Sequence, residues 1–233
     1  MTILGIDTAG RTMSVALLEN DTLLCEQTLA TGLTHSETLL PTVDAVLKAA
    51  GKTCADIDLF GVCAGPGSFT GLRIGLCAVK GLAFPANTPC AAVSTLEALA
   101  WSHVGTGTVV AAQDARRGEV YWAAFDLATH QRITPDAASP VEEIRTVAET
   151  CPKPLLFVGD GAYLCESAFS AVPGVLPCPA ALRAARAAGV CLAAKAMAER
   201  GETCPPAALL PSYHRLSQAE RQRAERLAQT TEG

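Results

Sequence analysis

The sequence has few of the groups that nucleophilic enzymes and nucleic-acid-binding proteins depend on. It has four histidines, and Ser68 lies in no GxSxG sequence, so neither a catalytic base nor a nucleophile elbow stands out. Lysine and arginine number 18 against 23 aspartates and glutamates, giving a net charge of −5. This balance argues against a chain whose main affinity is for nucleic-acid phosphates.

Paired cysteine spacing and long uninterrupted apolar runs are also missing. The ten cysteines are at least nine residues apart, so no CxxC pair exists, and most have apolar neighbours. We interpret them as small buried hydrophobic residues in a reducing cytoplasm. The opening MTILGIDTAGR has no basic leader, and Lys80 and Lys195 interrupt the longest apolar runs. We therefore expect a cytoplasmic protein without a membrane span.

Hydrophobic residues make up 49% of the chain, which is enough for a sizeable core, and their spacing predicts a mixed α/β fold. The first half is predicted to run βββαβαβα, in which three antiparallel strands precede helical crossovers between parallel strands. That order is the ribonuclease H-like plan. The predicted elements are strands 2–6, 12–18, 22–29, 57–64 and 90–93, and helices 35–50, 70–84 and 95–103.

The second half repeats the pattern less completely. We predict a hairpin of strands 108–113 and 119–125, a helix at 140–150, a strand at 155–158, a helix from Tyr163 and an alanine-rich helix at 180–200. The predicted domains are a first lobe at 1–105, joined by the helix around 187–200, and a smaller second lobe at 106–186. We expect residues 217–233 to form a charged, disordered tail.

The chain contains a long and specific motif, AGPGSFTGLRIG, at residues 64–75. Shorter motifs accompany it: IDTA at 6–9, HSETLLP at 35–41, GDGA at 159–162, and YHR at 213–215 with Ala219-Glu220. Together they resemble the bacterial TsaB (YeaZ) family, within the actin, Hsp70 and sugar kinase (ASKHA) superfamily of two-lobed proteins. The resemblance covers roughly residues 1–220 and implies a two-lobed fold with mixed sheets.

The resemblance implies a non-catalytic partner in tRNA modification. TsaB proteins support TsaD, which transfers threonylcarbamoyl to N6 of adenosine 37 in tRNAs that read codons beginning with A, and TsaE, which is an ATPase. The implied chain has no catalytic residue, metal or cofactor of its own, because ATP or ADP and a metal ion belong to the partner subunits. It meets tRNA only through the complex and forms a homodimer in isolation.

The motifs give little support for a metal or nucleotide site. TsaD has two histidines four residues apart on a helix, whereas here His35 is followed by Leu39. The loop from Gly65 to Thr70 lacks the lysine of a P-loop, although free N–H groups at the following helix start suit an anion. We retain a set of candidate vestigial nucleotide-binding residues: Asp7, Gly65, Gly67, Gly159 and Gly161.

The two helices after the first strands are predicted to form the partner surface. Gly71 and Gly75 lie one turn apart, and a face without side chains lets another backbone approach closely, although packing on the chain's own sheet explains the spacing equally well. The resemblance favours the partner. The predicted contact residues are His35, Leu39, Val43, Leu47, Gly71, Arg73, Gly75, Ala78 and Leu82. A bulky residue at Gly75 is expected to weaken the complex without unfolding the chain.

Two alternatives remain open from the sequence. One is a nucleotide-dependent enzyme of the ASKHA superfamily, with Asp7 and the glycine turns around a phosphate. The other is the older interpretation of the family as a glycoprotease, which requires a metal site.

Overall fold

The first half of the chain builds a five-stranded sheet. In this computed structural model, which describes residues 1–214, the strand order is β3-β2-β1-β4-β5. Strands β1, β2 and β3 pair antiparallel, whereas β4 pairs parallel with both β1 and β5. This topology confirms the predicted mixed sheet. The bounds are β1 Thr2–Asp7, β2 Met13–Glu19, β3 Thr22–Leu29, β4 Leu59–Gly65 and β5 Cys90–Ser94.

Helix α1 His35–Ala49 connects β3 to β4, α2 Phe69–Ala83 connects β4 to β5, and α3 Thr95–Trp101 follows β5. Thr34 precedes α1, but its side chain makes no capping bond. Ser68 caps α2, because its hydroxyl accepts the Gly71 N–H.

The second half builds another five-stranded sheet, in the order β10-β9-β6-β7-β8. The hairpin of β6 and β7 is confirmed and is longer than predicted, whereas β8 and β10 were not predicted. The predicted helix at 140–150 is shorter than expected, because its start belongs to β8 and a 3₁₀ turn. The bounds are β6 Thr108–Arg116, β7 Glu119–Asp126, β8 Ala137–Pro140, β9 Leu155–Val158, β10 Val175–Leu176, α4 Arg145–Thr150 and α5 Ala162–Phe169.

The last helix, α6 Ala187–Glu199, returns to the first sheet. It is shorter than the predicted 180–200 helix. Its residue Gly189 lies against α3, where a Cβ would be 2.2 Å from the Ala98 carbonyl oxygen. Neighbouring residues of β4 show that α6 and α2 cover opposite faces, because Gly61 faces α6 and Val62 faces α2. The domain boundaries themselves stay predictions, and the predicted tail at 217–233 lies outside the described residues.

Candidate functional site

A cleft opens between the two sheets, beyond the end of β1. A cavity of about 510 Å³ lies between the turn after β1, the start of α2 and the β6–β7 hairpin. A second cavity of about 180 Å³ adjoins it and extends toward Leu99 and Tyr163. The two cavities share Gly10, Arg11, Gln113 and Asp160.

Two buried side chains, Gln113 at the cleft and Asp7 beneath it, have oxygens without an N–H or O–H donor. Asp7 is buried, and its Oδ1 accepts the Ala9 N–H at 2.8 Å. Its Oδ2 and the Gln113 Oε1 are buried and accept no N–H or O–H hydrogen bond among residues 1–214, although the Cys63 thiol lies beside the Asp7 carboxyl. Burial raises the pKa of Asp7 from 3.8 to about 6, against the lowering effects of the Ala9 N–H, Cys63 and His35. Gln113 lines both cavities, so its oxygen is within reach of a ligand in the cleft, whereas Asp7 lies beneath them and lines neither.

Asp160 adds a second desolvated carboxyl at the cleft. Its Oδ1 accepts the N–H of Asp114 at 3.0 Å, and burial is the main cause that raises its pKa. Three or more His, Cys, Asp or Glu side chains arranged to hold a metal ion are not found in the part of the chain that the structure describes.

At each candidate nucleotide-binding glycine, a neighbouring part of the chain leaves no space for a side chain. A Cβ at Gly65 would lie 2.1 Å from the Ser212 carbonyl oxygen, and one at Gly159 would lie 2.1 Å from the Ala112 oxygen. A Cβ at Gly67 would lie 2.6 Å from the Ala9 oxygen, and one at Gly161 would lie 2.8 Å from the Gln113 carbonyl carbon. Their small size is therefore not evidence for a phosphate.

Only some of the candidate nucleotide-binding residues line the cleft. Gly67 lines the larger cavity and Gly159 the smaller one, whereas Asp7, Gly65 and Gly161 line neither. All five as vestigial nucleotide-binding residues stay a prediction.

His35 makes a local contact. Its Nε2 lies 3.0 Å from the Gly10 carbonyl oxygen, and in the tautomer that donates, this bond ties the start of α1 to the turn after β1. One helical turn further on, Leu39 is 2% exposed.

Five of the predicted partner-contact residues face the chain's own core. Leu39, Val43 and Leu47 are buried in the first sheet's cluster. A Cβ at Gly71 would lie 2.1 Å from the Thr8 carbonyl oxygen, and one at Gly75 would lie 2.4 Å from the Thr8 Oγ1. In the chain by itself, the first sheet and the turn after β1 occupy the space beside these five residues, and a partner contact at them stays a prediction.

The other predicted contacts are only partly available. Arg73 is exposed, but its Nε donates to the Tyr213 hydroxyl at 2.8 Å, and Tyr213 stacks on Phe69 with ring centroids 4.5 Å apart. Ala78 and Leu82 are half-buried against the first sheet's core.

The structure also exposes apolar positions on these two helices: Leu40 on α1, and Cys77, Gly81 and Phe84, which follow one side of α2 to its C-cap. We call these four residues the α1–α2 face. Leu40 is 54% exposed and Phe84 is 73% exposed. Cys77 and Gly81 are also exposed, and a Cβ at Gly81 would meet no atom within 4 Å. Sequence reasoning missed this face, although apolar and small residues continue onto the exposed side of α2 at Cys77 and Gly81.

The same helix corrects the expectation about membrane-spanning length. Phe69–Ala86 is long and apolar enough by length and composition to cross a membrane, despite Lys80, and 33% of it is buried. A single such helix is weak evidence for a membrane, because the core helix of a soluble protein passes the same test.

Ser212, His214 and Asp136 lie together but do not have the geometry of a hydrolase triad. The Ser212 Oγ is 3.2 Å from the His214 Nε2, and the Asp136 Oδ2 is 4.0 Å from that same nitrogen. A triad requires the carboxylate on the opposite ring nitrogen.

Two mixed sheets, with a cleft between them at the end of β1, define a protein of the ASKHA class. The family described as TsaD, tRNA N6-adenosine threonylcarbamoyltransferase, matches residues 30–223. The Bacillus subtilis tRNA threonylcarbamoyladenosine biosynthesis protein TsaB is 34% identical over 168 residues, which cover 70% of this chain and 73% of that protein. The chain belongs to the TsaB (YeaZ) family.

Other relatives agree with this assignment. The Escherichia coli TsaB is 43% identical over 133 residues, which cover 54% of this chain and 55% of that protein. The chain thus spans little more than half of that relative. The solved YeaZ structure from Pseudomonas aeruginosa has a TM-score of 0.77 and 31% identity, and the match covers 91% of this chain and 99% of that one.

Proposed function

We propose that this chain is a non-catalytic subunit that docks a TsaD-type partner, in a complex with TsaE, and is required for threonylcarbamoyl transfer to N6 of adenosine 37 in tRNAs that read codons beginning with A. It acts in the cytoplasm and meets tRNA only through the complex. The observation that carries the proposal is the exposed α1–α2 face. Curated relatives named as tRNA threonylcarbamoyladenosine biosynthesis proteins support the pathway.

The α1–α2 face has the composition of a docking surface. A large aromatic side chain, Phe84, and an aliphatic one, Leu40, are presented to solvent, and such anchors supply most of the binding energy when a partner covers them. Gly81 leaves open space on α2 at which a partner helix can approach closely. Asp44, one helical turn after Leu40 on α1, pairs with Lys48 at 2.7 Å and supplies exposed charge on the same helix.

The same face fits a second copy of the chain. An apolar face that lacks its partner is covered most simply by its own twofold copy, since a twofold interface needs only one self-complementary patch. We therefore propose a homodimer in isolation that gives way to the complex.

The cleft favours a second candidate function, a nucleotide-dependent enzyme. The unpaired oxygen of Gln113 is the specific observation behind it, because an unsatisfied buried acceptor beside a cavity suits a ligand. Magnesium-dependent ATP turnover by the purified chain would favour the enzyme. A metal bound stoichiometrically to the purified chain would favour the glycoprotease interpretation.

The first test is threonylcarbamoyl transfer to tRNA by TsaD and TsaE from the same organism, with this chain present or omitted. We expect modification to require the chain, and the chain alone to leave ATP and tRNA unchanged. Full activity of TsaD and TsaE without it would contradict the proposal.

The second test changes Gly81→Trp on the α1–α2 face. Open space around Gly81 means that the indole leaves the chain's own fold intact and blocks the partner, so we expect at least tenfold weaker TsaD binding. Ala168→Trp on α5 is the matched control, at an exposed helical position outside the face. Unchanged binding by a folded Gly81→Trp variant would exclude this face.

A further inference from the structure

Two cysteines lie directly opposite each other at the edge of the first sheet. Cys90 opens β5, and Cys204 lies in the segment after α6. Their backbones form an antiparallel bridge in which each N–H donates to the other's carbonyl oxygen at 2.8 Å. Side chains of directly opposed residues project to the same side of the sheet.

The backbone spacing is compatible with a covalent bond. Opposed residues that exchange both hydrogen bonds have Cα atoms about 5.5 Å apart. Disulfides join Cα atoms about 4.4–6.8 Å apart. The bond therefore requires side-chain rotation and no rearrangement of the sheet edge.

The two thiols differ in access. Cys90 is buried, and its Sγ donates to the Thr88 carbonyl oxygen at 3.6 Å. Cys204 is half-buried and within reach of solvent. Burial raises the pKa of Cys90 to about 11 and also raises the pKa of Cys204, so both are mostly protonated at neutral pH and exchange slowly with a disulfide.

We infer that Cys90 and Cys204 form a reversible disulfide with each other when a low-molecular-weight disulfide oxidises them. This bond links the segment after α6 covalently to the first sheet. The Cys204 thiol loses its proton and attacks one sulfur of oxidised glutathione, which breaks the S–S bond, and the departing glutathione takes up that proton to leave as a thiol. The Cys90 thiol then loses its proton and attacks the Cys204 Sγ, which releases the second glutathione. Two protein thiols are oxidised and one glutathione disulfide is reduced.

The linked segment also contacts the end of β4 and the start of α2. Further along it, the Ser212 N–H donates to the Ala64 carbonyl oxygen at 2.7 Å, and Tyr213 stacks on Phe69 in the first turn of α2. A disulfide at Cys204 therefore restrains the segment that carries Ser212 and Tyr213. The inference goes beyond the proposed function and does not depend on it.

The test equilibrates the purified chain in glutathione buffers from reducing to oxidising, traps free thiols with iodoacetamide and maps the peptides of the monomer. We expect one cross-linked peptide pair joining Cys90 and Cys204, and a melting temperature about 5–10 °C higher in the oxidised monomer. Hydrogen exchange in residues 202–214 should slow with the same redox midpoint.

Cysteine variants distinguish a specific bond between Cys90 and Cys204 from oxidation of other thiols. Cys204→Ser and Cys90→Ala should lose both the cross-link and the rise in melting temperature, whereas Cys54→Ser, at another half-buried cysteine, should behave as wild type. The wild-type peptide map does not depend on how the variants fold. Free thiols at both positions in the oxidised monomer, pairing with other cysteines, or an unchanged melting temperature would overturn the inference.

Discussion

Replacing Asp7 with asparagine tests the energetics of the buried carboxyl beneath the cleft. The side chain is fully buried, and one of its carboxylate oxygens accepts no N–H or O–H hydrogen bond among the described residues. A pKa raised from 3.8 to about 6 corresponds to about 3 kcal/mol of lost stability at neutral pH. The amide is neutral at every pH, and its oxygen still accepts the Ala9 N–H. We therefore expect Asp7→Asn to raise the free energy of unfolding by up to about 3 kcal/mol at pH 7.5.

The pH dependence gives the sharper measurement. Below about pH 4, Asp7 is protonated in both the folded and the unfolded chain, so the stability associated with its raised pKa is fully present. Between pH 4 and 6 the unfolded chain loses this proton while the folded chain keeps it, and stability falls as the pH rises. Denaturant unfolding followed by circular dichroism should show wild type and Asp7→Asn converging near pH 4 and diverging toward pH 7.

Asp126→Asn is a control of opposite sign. Hydrogen bonds from Thr129 lower the pKa of Asp126, so its contribution is present at neutral pH and is lost as the pH falls. The control variant should therefore be less stable than wild type at pH 7.5. An Asp7→Asn variant that is less stable than wild type, or a stability difference that does not change between pH 4 and 7, would refute the reasoning.

Three further substitutions test the packing around α2. Gly75→Leu should lower the free energy of unfolding by about 3 kcal/mol in denaturant titration, because its Cβ meets the Thr8 hydroxyl. Unchanged stability would show that the chain's own packing does not require glycine at this position. Ser68→Ala should cost about 1 kcal/mol through loss of the α2 cap, and no change would mean that the cap is redundant. Tyr213→Leu should cost about 1 kcal/mol and speed hydrogen exchange near Phe69, whereas unchanged exchange would show that the stack does not hold the segment.

Sequence periodicity predicted the central strands and helices well, because burial on a sheet leaves a local pattern. β9 matches its predicted range, and β1 and α2 differ from theirs by one residue. The strands β8 and β10 were missed, since each is short and lies at a sheet edge, where pairing rather than pattern decides the structure.

The site shows the same division. The motif around Gly71 and Gly75 identified the family, but a sequence cannot show which backbone occupies the space beside a glycine. Here Thr8, in the turn after β1, occupies the space beside Gly71 and Gly75. The glycine with open space beside it is Gly81, which lies outside the motif.

The sequence by itself determined the mixed α/β class, the family and the position of α1 and α2 along the chain, because periodicity and motif are properties of neighbouring residues. Only the tertiary structure decided which side of each helix stays exposed, which acceptors remain unpaired around Asp7, and that Cys90 meets Cys204. These facts depend on contacts between residues far apart in the chain, and such contacts are set by how the two sheets and α6 pack together.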